Sequence, residues 1–131
     1  MSRYKVLVVD DEPVNCKLLR EFLEDVANCD TVQSGEQAVN MFEMAFKTDN
    51  RYDLVLLDIA MPEMDGLEVL EKIRAFEEEN GLLLGKGVKI IMITAIKEAF
   101  MTAFKRGAED YILKPVDQDI LLNKIEEQLG S

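Results

Sequence analysis

The sequence predicts an α/β fold: a doubly wound parallel sheet of five strands with five helices. Three observations carry this. Short apolar runs recur at Lys5–Val9, Leu54–Leu57 and Val88–Ile93, each bounded by polar or turn residues. That is the pattern of strands covered on both faces. Between the runs lie segments with apolar residues at helical spacing. The two kinds alternate from end to end, which implies parallel strands joined by right-handed crossovers.

The elements follow in order. Lys5-Val6-Leu7-Val8-Val9 ends at Asp10-Asp11-Glu12-Pro13. Pro13 suits the first turn of a helix, where its missing N–H costs nothing. The acids before it suit the positive end of the helix dipole. Leu18, Leu19, Phe22, Leu23 and Val26 give that helix one apolar face. Asp30–Gln33 is a short, weak strand. Ser34-Gly35-Glu36-Gln37 has the form of a capping box, and Ala38, Val39, Phe42, Ala45 and Phe46 face the helix behind it. Asn50-Arg51-Tyr52-Asp53 breaks that helix and leads into the third strand, Leu54–Leu57, which stops at Asp58, with Pro62 and Asp65-Gly66 as turn signals. Leu67, Val69, Leu70, Ile73 and Phe76 mark the third helix. Glu77–Gly87, with Gly81, Gly85 and a glutamate run, predicts a loop. Its glutamates read as a solvated face, and Leu82, Leu83 and Leu84 as a patch folded back on the core. A fourth strand ends at Thr94. Ala99, Phe100, Ala103 and Phe104 form a fourth helix that Gly107 closes. Asp110–Leu113 is a short strand ending at Lys114-Pro115, and Asp117 caps a last helix carrying Leu121, Ile125 and Leu129.

Composition narrows the chemistry. The chain has 131 residues, the size of one domain, and no linker or repeat divides residues 1–131. Its 15 Lys and Arg against 26 Asp and Glu leave a net charge of -11. That disfavours direct binding of nucleic acid or of an anionic membrane surface. There is no His, so a Cys/His zinc site is excluded, and acid–base or nucleophilic work falls to carboxylates, Lys, Tyr or hydroxyls. Cys16 and Cys29 read as free thiols of a reducing compartment. No apolar run reaches the ~20 residues of a membrane span, and no signal-peptide pattern opens the chain. A cytoplasmic location is expected.

The residues just past the strands carry the site argument. They are Asp10 and Asp11 after the first, Asp58 after the third, Thr94 after the fourth and Lys114 after the fifth. In a parallel sheet these ends share one rim, where open α/β sheets bind ligands. Crowded carboxylates repel and call for a cation. A hard divalent ion such as Mg²⁺, bound by one or two carboxylates with waters and phosphate oxygens, answers this. Lys is a point charge for a phosphate and Thr a hydroxyl donor. Acids, Mg²⁺, Lys and Thr together describe phosphoryl transfer to a carboxylate.

At this point the sequence resembles the receiver domains of bacterial two-component response regulators, in the manner of the single-domain chemotaxis regulator. The matching stretches are Val8–Pro13, Leu57–Gly66, Ile93–Ala95 and Gly107–Pro115. The resemblance implies a flavodoxin-like strand order 2-1-3-4-5. It implies Asp58 as phosphoacceptor. It implies a Mg²⁺ site made of Asp10, Asp11, Asp58 and the backbone carbonyl of Ala60. Thr94, Ala95 and Lys114 would contact the phosphoryl group, and Tyr111 would turn inward with Thr94 as a paired switch. The Lys114–Pro115 peptide would be cis. A histidine kinase or histidine phosphotransfer protein would be the phosphodonor. A downstream protein or output domain would read the surface of the fourth helix, last strand and last helix, through which a homodimer could also form. The domain would be a switch and not an enzyme acting on free substrates.

Departures from the family pattern matter. The segment Glu77–Gly87 is long, and Val116 stands where Phe is frequent. Ala60 and Ile96 cannot orient a hydrolytic water by hydrogen bonding, so a persistent phosphoryl group is expected. Ala60 also decides against a phosphatase of the haloacid dehalogenase type, which needs a second Asp at that position. The acidic Asp10-Asp11-Glu12 decides against a flavodoxin-like flavin binder, whose phosphate loop it would repel.

Overall fold

The computed structural model describes residues 3–83 and 85–130. The elements are β1 (Tyr4–Val9), α1 (Pro13–Phe22), β2 (Ala27–Val32), α2 (Gly35–Lys47), β3 (Leu54–Asp58), α3 (Gly66–Glu79), β4 (Lys89–Thr94), α4 (Ala99–Lys105), β5 (Asp110–Leu113) and α5 (Gln118–Leu129). The strands pair in parallel in the order β2-β1-β3-β4-β5. Both the α/β class and the 2-1-3-4-5 order agree with expectation.

The two-residue period of the strands divides the core. Leu7, Val9, Val55, Leu57, Ile90 and Met92 face a cluster with residues of α2 and α3. Val6, Val8, Leu54, Leu56, Ile91 and Ile93 face the other, with residues of α1 and α5. Leu54, Val55, Leu56 and Leu57 are all fully buried, so β3 needs four successive apolar residues.

Helix ends follow local chemistry. Pro13 takes the first position of α1. Ser34, Asp65 and Asp117 cap α2, α3 and α5, accepting from the N–H groups of Gln37, Glu68 and Ile120. Gly107 follows the end of α4 at φ 109°, a conformation suited to glycine.

Three expectations are corrected. β2 begins at Ala27, not Asp30, because the turn through Val26 delivers the chain to β1 with Tyr4 opposite Ala27. As an edge strand it tolerates Asn28 and Asp30, which hide it from apolar patterning. The Leu82–Leu84 patch does not fold back as a unit: Leu82 is half-buried and Leu83 is 74% exposed. Leu84 lies outside the described residues.

The third correction concerns the glutamates. Helix α3 continues through Glu79, and Glu77 is only 4% exposed. Its carboxylate accepts from Arg74 Nη1 and from the Val88 N–H, each at 2.7 Å. Arg74 also donates to the carbonyls of Val88 and Gly107 and to Glu109. Glu109 in turn accepts from the Ile90 N–H at 2.7 Å. This network joins α3 to the starts of β4 and β5. Glu77→Ala should therefore cost about 3 kcal/mol in a denaturant titration, because Arg74 and the Val88 N–H lose their buried partner. Glu78→Ala, on the exposed side, should stay within about 0.5 kcal/mol.

Candidate functional site

The strand ladders run one step past β1, β3 and β5 and fix the rim. The Asp10 N–H donates to the Val32 carbonyl at 3.2 Å, Ile59 N–H to Ile93 at 3.2 Å and Lys114 N–H to Thr94 at 2.8 Å. Gly66 lets this rim close. A Cβ there would fall 2.2 Å from the Asp58 carbonyl oxygen, so its need is steric contact with the Asp58 backbone. The sequence suggested only a turn signal at this position.

The rim gathers Asp10, Asp11, Asp58 and Lys114. Asp10 and Asp58 are buried, at 1% and 3% exposure, and Asp11 is half-buried. One carboxylate oxygen from each of the three acids lies within 4.8 Å of the others. Lys114 Nζ stands 3.3 Å from Asp58 Oδ2 and 3.4 Å from Asp10 Oδ2. Asp58 Oδ1 accepts weakly from the Ala60 N–H at 3.3 Å, and Asp10 Oδ1 from the Glu12 N–H at 2.9 Å. The Lys114–Pro115 peptide is cis.

The electrostatics follow from this crowding. Burial first, and then repulsion from Asp10, push the Asp58 carboxyl up to about 6, against the pull of Lys114 and the Ala60 N–H. At Lys114 burial works against the charge, but Asp58 and Asp10 outweigh it and hold the ammonium above its usual value. One lysine thus does not neutralise the acids. The donor set, all oxygen and net negative, fits a hard divalent cation.

The switch residues stand differently. Thr94 is buried, and its hydroxyl is held by the β4–α4 loop: Oγ1 accepts from the Ile96 N–H at 2.9 Å and donates to the Ile96 carbonyl at 3.4 Å. Ala60 and Ala95 are exposed. Tyr111 lies opposite Met92 in β5, one pleat before the Thr94 level. Its ring packs 4.4 Å from that of Phe100 in α4, and Lys124 sits 5.8 Å from its centre. The structure therefore brings the three acids and Lys114 together, with Thr94 turned to its own loop and Tyr111 lodged against Phe100. Sequence reading named Phe100, Ile96 and Cys16 but did not anticipate these contacts with Tyr111, Thr94 and Asp10. Phe100 and Ile96 act through packing and backbone and carry no chemical signature. Cys16 donates from Sγ to the Asp10 carbonyl at 3.3 Å.

The raised Asp58 value has a stability consequence. A carboxyl with a folded value of about 6 against a usual 3.8 favours the folded state in its neutral form. Its contribution is complete below about pH 4 and is lost as pH rises through about 6. Asp58→Asn should remove this dependence. It should raise metal-free stability at pH 7.5 by about 1–3 kcal/mol, with little change at pH 4, in parallel urea titrations.

Comparisons with known proteins agree with this geometry. The response regulator receiver domain family matches residues 6–126. Hybrid signal transduction histidine kinase L of Dictyostelium discoideum is 39% identical over 115 residues, 86% of this chain but 6% of that protein. Chemotaxis protein CheY of Halobacterium salinarum is 35% identical over 128 residues, 95% of this chain and 96% of that one. Among solved structures, the CheX-CheY-BeF3-Mg²⁺ complex from Borrelia burgdorferi superposes with a TM-score of 0.81 at 30% identity, covering 95% of this chain and 87% of that chain. The chain thus spans a small part of the kinase and nearly all of the chemotaxis protein. It belongs to the response regulator receiver domain family, the phosphorylation-activated switches of two-component signalling.

Proposed function

We propose that residues 1–131 act as one receiver unit that accepts a phosphoryl group on Asp58. The observation that carries this is the position of the Asp58 carboxylate, 3.3 Å from Lys114 Nζ and within 4.8 Å of the Asp10 and Asp11 oxygens. An Asp58 oxygen attacks phosphorus of a phosphohistidine donor. The P–N bond breaks, its electron pair returns to the imidazole, and an acyl phosphate forms. Asp10, Asp11, Asp58 and the Ala60 carbonyl would hold Mg²⁺, which when bound offsets charge on the transferred group. Lys114 then meets the phosphoryl oxygens in place of the Asp58 carboxylate.

Apolar surface beside the site supports a docked protein donor, a histidine kinase or a histidine phosphotransfer protein. A cleft of about 370 Å³ between Asn15, Leu18, Leu19, Pro115 and Val116 opens next to Lys114 and Asp10. Val14, next to Asn15 on α1, is 75% exposed. Phosphorylation adds acceptor oxygens that compete with Ile96 for the Thr94 hydroxyl. With Thr94 drawn away, the β4–α4 loop loses a tether and Tyr111 can leave Phe100. Met101, Leu113 and Ile120, exposed on α4, β5 and α5, are the surface that a target, or a second copy, would read. No described helix is long and apolar enough to cross a membrane.

Incubation with acetyl phosphate and Mg²⁺ should add one phosphoryl group by intact mass. Asp58→Asn or chelation of the metal should abolish the gain, and no gain with Mg²⁺ present would refute the assignment. Ala60 and Ile96 are both exposed and offer no polar side chain to a water at the acyl phosphate. The phosphoryl group should therefore persist, and Ala60→Asn should speed its loss by about tenfold or more. Equal decay rates in the two proteins would overturn the role given to Ala60.

A further inference from the structure

The pole opposite Asp58 has a character the net charge of -11 does not suggest. At the N-terminal ends of β1, β3 and β4 stand Lys5, Arg51, Lys86 and Lys89, with Lys47 closing α2 beside them. None of these cations forms an ion pair among the described residues. Three instead lie over aromatic rings. Arg51 is 3.8 Å from the centre of Phe46, Lys5 4.5 Å from Tyr52 and Lys47 6.0 Å from Phe76. Phe46 and Phe76 meet edge to face at 5.2 Å, so Arg51 and Lys47 rest on one joined aromatic pair.

A cleft of about 350 Å³ opens here. Phe42, Phe46, Tyr52, Val88 and Leu129 give it apolar walls, and Arg51, Lys86 and Lys89 stand among its lining residues. Two carboxylates, Asp53 and Glu77, also line it, and both are already engaged. Asp53 accepts from the Lys5 N–H at 2.8 Å, and Glu77 from Val88 and Arg74. Arg51 rests over Phe46 yet is exposed and pairs with no carboxylate among the described residues, so its guanidinium can make a forked contact with a carboxylate from outside.

We infer that this pole is a docking site for an acidic peptide segment of a protein partner, one carrying a Leu or Phe anchor between carboxylates. The anchor fills the apolar cleft while Arg51, Lys86 and Lys89 meet the flanking carboxylates. Charge complementarity selects the occupant: these cations pair with no carboxylate among the described residues, whereas the net charge of -11 would repel a long polyanion such as nucleic acid. The site lies at the other end of the strands from Asp58, so a partner tethered there leaves the acceptor free.

The test titrates the isotope-labelled full chain with an acetylated Glu-Glu-Leu-Glu-Glu-Phe-Glu-Glu peptide and follows backbone amide signals by NMR. Shifts should concentrate at residues 46–53 and 86–89 and at Lys5, and should weaken with added salt. Arg51→Gln with Lys86→Gln should weaken binding about tenfold, the loss of two solvent-facing contacts. Both residues are exposed, so the amide spectrum should otherwise be unchanged, and acetyl phosphate should still label Asp58. No shifts at about 1 mM peptide, or shifts centred elsewhere, would overturn the proposal. So would equal competition by an oligothymidylate.

Discussion

The structure turns on carboxylates held closer together than they tolerate. Asp10 and Asp58 are buried at the ends of neighbouring strands, and Asp11 stands beside them with one lysine in reach. The sheet enforces this. β1 and β3 pair in register from Val6–Leu54 to Val9–Leu57, so their next residues come to the same rim whatever charge they bear. The apolar strands supply the rigidity that makes the crowding persistent. The uncompensated charge is what makes a site of it: a cation, and then a phosphoryl group held by cation and lysine, relieve a repulsion that folding has built in.

That arrangement was legible in the sequence because its elements are independent and ordered. Apolar runs at Lys5–Val9, Leu54–Leu57 and Val88–Ile93, short and bounded by turn signals, read as covered strands, and parallel strands point their ends the same way. The acids, Thr94 and Lys114 could therefore be placed on one edge by counting. Strand order could not be counted in this way; it came with the family resemblance, and pairing in the structure agrees with it.

What stayed hidden has a common cause. Glu77 looks like its exposed neighbours Glu78 and Glu79 until Arg74 and the Val88 N–H meet it, with Glu109 held by the same arginine. Phe100 is one more apolar helix residue until β5 sets Tyr111 against it. Ile96 restrains Thr94 through backbone atoms, which residue type does not encode. Edge strand β2 is polar because one side of it faces water, and patterning alone set its start too late. Apart from the local Thr94–Ile96 contact, these depend on contacts between segments distant in sequence, where composition is silent.

The most direct measurement is a carbon-13 titration of the Asp58 side-chain carboxyl by NMR, without and with saturating Mg²⁺. The crowding account predicts a midpoint of about 6 in the metal-free protein. Mg²⁺ should lower it by about a unit or more, since the cation favours the ionised form. A metal-free midpoint near the usual 3.8 that Mg²⁺ leaves in place would contradict it.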